Sequence, residues 1–382
     1  ERQGGGKEAI DRAAKYLSDA KFPVILSGAG VVIGNAIEET KKLAEKLDSP
    51  VCNGYQHNDS FPGSHPLAVG PLGYNGSKAA MELISKADVV LALGTRLNPF
   101  STLPGYGIDY WPKKATIIQV DMNPDRIGLT KKVSVGICGD AKQVAQQILD
   151  KLSSDAGNTG REERKNLIHK TKSAWLQTLS GLDHEEDDPG TVWNKEARER
   201  DKDRMSPRQA WRAIQDALPQ DAIISSDIGN NCAIGNAYPT FEKPRKYLAP
   251  GLFGPCGYGF PAILGAKIGC PDTPVVGFAG DGAFGISMNE MSSCARKEWP
   301  AITMVIFRNY QWGAEKRNSI LWFDDNFVGT ELDPELSYAK VANACGLKGV
   351  TCKTMEETTK AIKQSCEDQK QSLIHISEPT RP

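Results

Sequence analysis

Val275-Val-Gly-Phe-Ala-Gly-Asp-Gly-Ala283 places a short apolar run directly before a Gly-Asp-Gly turn. An apolar run of this length bounded by glycine reads as a buried strand. The next stretch, Gly285–Lys297, reads as a helix, so Gly280, Asp281, Gly282 and Ala283 form a strand-to-helix turn. Backbone amides converge at such a turn, which is where α/β proteins hold phosphate. A gap of 26 residues, 283–308, leads through a second apolar run, Thr303–Arg308, to the turn Asn309-Tyr-Gln-Trp-Gly313. A carboxylate and a carboxamide thus stand at the ends of two strands that can be neighbours. Such a pair suits Mg²⁺, a hard octahedral ion that takes oxygen ligands at about 2.0–2.1 Å and completes its shell with phosphate oxygens and water. Asp281, Asn309 and the carbonyl of Gln311 are the candidate ligands. Gly-Asp-Gly alone is usually only a turn, and its combination with Asn309 carries the inference.

The same alternation extends outward in both directions. Residues 7–20, 36–47 and 141–152 read as helices, and Pro23–Leu26, Asp88–Leu93 and Ile117–Val120 as strands. Ser206-Pro207 has the form of a helix N-cap followed by proline at the first helical position. Beyond it come strands at Ile223–Ser226, Val275–Ala279 and Thr303–Arg308, with Leu373–Ile376 as a candidate final strand. The expected fold is therefore α/β, with two doubly wound parallel-sheet domains joined by a charged linker. The domains span 1–152 and 206–376. The linker, 153–205, contains one helix around Trp175, an acidic run from His184 to Asp188 and the charge-rich Glu196–Arg204. Residues 377–382, Ser-Glu-Pro-Thr-Arg-Pro, form a tail of uncertain origin.

Composition narrows the function classes. Forty-six basic and 47 acidic residues among 382 leave a formal charge of −1, which removes the electrostatic basis for nucleic acid or an anionic membrane as partner. No apolar run approaches the roughly 18 residues of a membrane span, and residues 1–22 lack the order of a secretory signal, so the cytoplasm is the expected compartment. Nine cysteines, scattered from Cys52 to Cys366 without paired spacing, indicate neither a disulfide framework nor a zinc site and read as mostly buried thiols. The polar opening Glu1-Arg-Gln-Gly-Gly-Gly6, with no initiator Met, reads as the interior of a longer polypeptide.

Gly-Asp-Gly followed after this gap by Asn resembles the diphosphate-binding motif of the thiamine-diphosphate enzyme superfamily. The segment Leu252–Ala266 is similar to the glycine-rich stretch that passes beneath the cofactor there, and Asp227-Ile-Gly-Asn-Asn231 to its first diphosphate loop. The resemblance implies thiamine diphosphate and Mg²⁺ as cofactors, contacted by Gly229, Asn230, Asn231, Gly254, Cys256, Gly257, Tyr258, Gly280, Asp281, Gly282, Ala283, Asn309, Gln311 and Gly313. Cys256 holds the position of the residue that props the cofactor into its bent shape, where many relatives carry a bulkier Met, Leu or Ile. Residues 1–152 resemble the superfamily's central domain. Ser27-Gly-Ala-Gly-Val-Val-Ile-Gly34 spaces its last glycine one residue too far for a dinucleotide fingerprint and reads as a tight structural turn. Gly70–Gly76 and Gln119–Pro124 match segments that touch flavin in some relatives but persist in relatives without it, and bound FAD is not expected.

Within the superfamily, the stretches Gly54–Pro66, Leu97–Trp111, Asp183–Gly190 and Gln311–Lys316 resemble the sulfoacetaldehyde acetyltransferases. That family converts sulfoacetaldehyde and phosphate into acetyl phosphate and sulfite, an acyl transfer that includes C–S cleavage. Both substrates are anions, and Lys316 and Arg317 are candidates to meet them, although a solvated helix face explains them equally well. His57 and His65 read as loop-structural. The resemblance implies a homodimer or homotetramer, with the activating glutamate on an amino-terminal pyrimidine-binding domain that this chain lacks. The chain alone is then expected to bind cofactor weakly and turn over little or nothing. Three alternatives stay open: an acetolactate synthase-like enzyme of the same superfamily, a non-catalytic nucleotide- or flavin-binding module, and a non-catalytic assembly subunit.

Overall fold

A computed structural model describes residues 3–184, 204–251, 253–296, 298–324, 326–367 and 372–377. Most of the expected acidic run and charged stretch, the end of the expected tail, and Leu252 lie outside them. The chain divides into two compact units, one of residues 1–180 with 239–245 and the other of 181–238 with 246–382.

The first unit is built on a six-stranded, all-parallel sheet in the order β3-β2-β1-β4-β5-β6. Its strands are β1 (Pro23–Ser27), β2 (Val51–Asn53), β3 (Ala68–Pro71), β4 (Val89–Leu93), β5 (Thr116–Asp121) and β6 (Val135–Cys138). Every residue of β1 and β4 is buried. This is why they read as continuous apolar runs rather than alternating ones: helices cover both faces of a central parallel strand. Helices α1 (Lys7–Asp19), α3 (Ile37–Leu47) and α5 (Ala141–Lys151) match the sequence expectation closely, and α2 (Ala29–Ile33) and α4 (Lys78–Ile84) complete the crossovers. The glycines of the 27–34 turn press backbone against backbone: a Cβ added at Gly28 or Gly30 would lie 2.6 Å from the main chain of Gly94. No larger residue fits there without displacing the turn.

The helix expected around Trp175 is α6 (Arg161–His184), and up to Ser180 it belongs to the first unit rather than to a connector. Arg164 explains the attachment. Its guanidinium, 1% exposed, donates to five carbonyls: Lys21 (2.6 Å), Leu47 (2.8 Å), Asp48 (2.9 Å), Gly157 (2.6 Å) and Thr159 (2.9 Å).

The second unit carries another six-stranded, all-parallel sheet, ordered β11-β12-β10-β9-β7-β8. Its strands are β7 (Ile223–Ser226), β8 (Tyr247–Leu248), β9 (Val275–Gly280), β10 (Thr303–Arg308), β11 (Lys348–Cys352) and β12 (Ser372–Ser377). The chain runs outward from β7 to β8 and then returns to β9 on the other side of β7. The crevice beyond the carboxyl ends of β7 and β9 is therefore a topological switch point, the favoured ligand position in open α/β sheets. The helices of this unit begin with α7 (Pro207–Ala217), α8 (Asn230–Gly235) and α9 (Gly259–Gly269). They continue with α10 (Asp281–Ser287), α11 (Met291–Cys294), α12 (Gly313–Trp322), α13 (Tyr338–Ala344) and α14 (Met355–Glu367). Ser206 caps α7 in a full capping box with Gln209, and Pro207 occupies the first turn.

The helix expected over 285–297 begins instead at Asp281 and is broken at Met288–Glu290 by a 3₁₀ turn. Gly282 and Gly285 weaken the helical pattern in sequence, yet packing against the sheet holds them in the helix. All nine cysteines are free; four are buried, three partly buried, and Cys138 and Cys270 exposed. Among the described residues no helix is long and apolar enough to cross a membrane.

Candidate diphosphate and metal site

Three loops leave the carboxyl ends of β7, β9 and β10, and they line one pocket of about 570 Å³, counting its open mouth. Gly229, Asn230 and Asn231 come from the first, Gly280, Asp281, Gly282 and Ala283 from the second, and Asn309, Gln311 and Gly313 from the third. Cys256 joins them from the glycine-rich segment. Thus 11 of the 14 residues expected around the cofactor share one cavity. Gly254, Gly257 and Tyr258 do not line it. Lys316 is turned to Glu331, 2.7 Å away, and neither it nor Arg317 lines the pocket.

Asp281 is 2% exposed, and its carboxylate accepts from the amides of Gly282 (3.0 Å) and Tyr310 (2.7 Å). Burial pushes its pKa up to about 6 despite those amides and the nearby Arg308 guanidinium. The fold thus leaves a buried anion under-compensated, as a cation ligand is in the absence of its cation. Asn309 Oδ1 lies on the same turn, 3.3 Å from the amide of Gln311. Asn231 is 6% exposed and its Nδ2 has no hydrogen-bond partner among the described residues, so a residue lining the pocket carries a buried donor still lacking an acceptor there. A diphosphate would supply one. The carbonyl of Asn231 is fixed from behind by Trp211 Nε1 at 2.8 Å, an indole 4.8 Å from the Phe278 ring and 5.5 Å from that of Phe307. Oxygen ligands on one side and an unmatched amide donor on the other fit a metal-bound diphosphate.

Several residues went unrecognised in the sequence. Ile228, Phe307, Trp312, Ala314 and Glu315 also line the pocket. Trp312 closes against Gly282, where a Cβ would sit 2.9 Å from the indole, so the second glycine of Gly-Asp-Gly is required by close approach. Asp227, 1% exposed, ties two loops together. Its carboxylate accepts from the amides of Ile228 (2.8 Å), Gly257 (3.1 Å) and Gly259 (2.7 Å). Burial raises its pKa, and the three amides oppose the rise. Gly257 has φ +86°, and a Cβ there would meet Ile286 at 2.9 Å, so this position too admits little but glycine. The visible signal was an acid at a strand end before a glycine, but its partners lie 30 and 32 residues away. Asp227→Ala is expected to lower stability by about 2–3 kcal/mol in urea unfolding, because it strands one buried and two partly buried amides, and to speed amide exchange at 257–259. Unchanged exchange at those amides would refute the role.

Cys256 is a neutral thiol at pH 7, its pKa raised by burial and then by the charges of Asp227 and Glu315. In the first unit, burial and then Arg96 push His57 down to about 4, so it is uncharged at neutral pH. His65 lies 3.3 Å from Glu45 and edge-on to Phe61.

Residues 10–148 match the family described as thiamine pyrophosphate enzyme, central domain. Residues 227–376 match thiamine pyrophosphate enzyme, C-terminal TPP binding domain. The chain is 76% identical over 378 residues to a protein of Rhizobium meliloti (strain 1021) named "Probable sulfoacetaldehyde acetyltransferase", covering 99% of this chain and 64% of that protein. It is 74% identical to "Sulfoacetaldehyde acetyltransferase" of Roseovarius nubinhibens, covering 99% and 63%. Against "Probable acetolactate synthase large subunit" of Methanocaldococcus jannaschii the identity falls to 29%, covering 96% and 59%. The chain therefore spans somewhat less than two thirds of the length of the curated relatives it matches.

Proposed function

From a chain that belongs to the thiamine pyrophosphate enzymes, we propose that the second unit holds the diphosphate of the cofactor through Mg²⁺, within an enzyme that converts sulfoacetaldehyde and phosphate to acetyl phosphate and sulfite. The observation that carries the cofactor site is the convergence of Asp281, Asn309 and Gln311 with Asn230 and Asn231 in one pocket at a sheet switch point. The substrate reading rests on the names of the relatives and on their identity to this chain, well above that to the acetolactate synthase.

When bound, thiamine diphosphate supplies a carbon nucleophile and an electron sink for cleaving a bond beside a carbonyl. The chain's own part is to bind and orient. Asp281, Asn309 and the Gln311 carbonyl would provide oxygen to the metal, and Asn231 Nδ2 would donate to a phosphate oxygen. Trp312, packed on Gly282, shields that end from water. Cys256, held neutral, would present an uncharged surface to the cofactor. Lys316 and Arg317, one and two residues past the pocket-lining Glu315, are proposed for the anionic groups of the substrates. The assembly is proposed to be a homodimer or homotetramer.

Calorimetric titration of thiamine diphosphate into the protein, with and without Mg²⁺, tests the cofactor site: binding is expected only with the metal. Product analysis on the full-length protein tests the reaction. Sulfite released from sulfoacetaldehyde in proportion to added phosphate is expected, whereas acetolactate from pyruvate without sulfite release would move the assignment to the acetolactate synthases.

A further inference from the structure

We propose that Tyr310 is a positioning residue for the oxygen cluster of Asp281, Asn309 and Gln311, its left-handed backbone locked by the Arg308 guanidinium lying over its ring. The inference rests on the reading of that cluster as the Mg²⁺ site. Tyr310 has φ +62°, a region that side chains other than Gly, Asn and Asp rarely occupy. A turn that needed only this backbone shape would be served better by glycine. A tyrosine here therefore points to a use for its ring.

The contacts around Tyr310 supply that use. Its amide donates to Asp281 Oδ2 at 2.7 Å, and its carbonyl accepts from the amide of Leu332 at 2.9 Å. On either side, Asn309 and Gln311 line the pocket, and the next amide, that of Trp312, donates to the Thr330 carbonyl at 2.8 Å. The turn at Tyr310 is thus what sets Asn309 and Gln311 beside Asp281. The Arg308 guanidinium carbon lies 4.3 Å from the Tyr310 ring centroid, and that of Arg204 5.2 Å from it. Arg308 is 3% exposed and held in place by the carbonyls of Asp333 (3.2 Å) and Pro334 (2.9 Å). A cation over an aromatic face is strongest when desolvated in this way, and a planar guanidinium stacks where an ammonium does not. Arg308 also lies 5.9 Å from the ring of Tyr338, whose hydroxyl donates to the Asp281 carbonyl at 2.8 Å. One buried arginine thus braces two tyrosines, and each tyrosine holds Asp281 by a different group.

The test compares Tyr310→Ala, which leaves a Cβ at the left-handed position but removes the ring, with Tyr310→Phe, which keeps the ring. The readouts are amide exchange over residues 309–313 by mass spectrometry without ligand, the urea midpoint, and the affinity for thiamine diphosphate at saturating Mg²⁺. Tyr310→Ala is expected to speed exchange about tenfold and weaken cofactor binding about tenfold, the scale seen when a group that orients a metal ligand is lost. Tyr310→Phe should behave as the parent does, and the urea midpoint should move little in either. Unchanged exchange in the Ala variant overturns the proposal whatever the cofactor does. Faster exchange with undiminished affinity also overturns it, since the turn would then position nothing. If the parent protein binds no Mg²⁺-dependent cofactor, the metal-site reading itself fails and takes this inference with it, an outcome already separate at the first titration.

Discussion

Asp281→Ala is expected to abolish Mg²⁺-dependent binding of thiamine diphosphate, with an affinity loss of at least about 100-fold, since merely disturbing the surroundings of a metal ligand costs up to about that much. Asp281 supplies the only carboxylate among the three proposed ligands, beside a carboxamide and a backbone carbonyl. Stability changes much less, because two effects oppose. The substitution strands the amides of Gly282 and Tyr310, at about 1–3 kcal/mol each. It also removes a buried charge that the fold stabilises poorly. Linkage gives the sign. The folded protein raises this carboxyl to about 6, above its value of 3.8 in an unfolded chain. It therefore favours folding below the unfolded value, and that contribution is lost as pH rises through the folded one. At pH 7 the ionised group is a net burden until a cation arrives. Asp281→Asn, which keeps an oxygen for one amide, separates loss of charge from loss of shape. Calorimetric titration gives the affinity and urea unfolding the stability. Retention of metal-dependent binding in both variants would remove Asp281 from the site.

Arg164→Met should destabilise the first unit by about 3–5 kcal/mol, as breaking a buried polar network does. All five donors of the guanidinium are used, each on a different main-chain carbonyl, at 2.6–2.9 Å. Methionine fills much of the volume but leaves five acceptors without donors. Arg164→Lys keeps the charge yet cannot reproduce a planar fork, so it recovers only part of the loss. Native-state amide exchange in β1 and α3 reads the effect where it arises. A change below about 1 kcal/mol would mean that water replaces the guanidinium without cost.

The two predictions draw on different kinds of legibility. Asp281 was visible because its meaning is carried by neighbours in the chain: an apolar run before it, glycines around it, and Asn309 at the end of the next apolar run. The central strands β1, β4, β5, β7, β9 and β10 were legible for the same reason, since strands buried on both faces carry continuous apolar runs, even where β7 ends in two buried serines and β5 includes a buried glutamine. Strands β2 and β8, of three and two residues, are too short to carry a pattern. Arg164 sits among the charges of Arg161–Lys165, where a solvated face is the ordinary reading. Its burial depends on carbonyls more than 100 residues away that no local pattern reports.

The α/β class, the two parallel sheets and the strand ends that meet at the pocket follow from local order along the chain, because hydrophobic periodicity and strand-to-helix turns are properties of consecutive residues. Long-range packing is what places α6 up to Ser180 in the first unit, ties the glycine-rich loop to Asp227, turns Lys316 to Glu331 and sets Tyr310 left-handed under Arg308. Each of these depends on which distant carbonyl, amide or charge comes within about 3 Å of a side chain, or which ring within a few ångströms of a guanidinium. Such distances are set by packing, after the chain has folded.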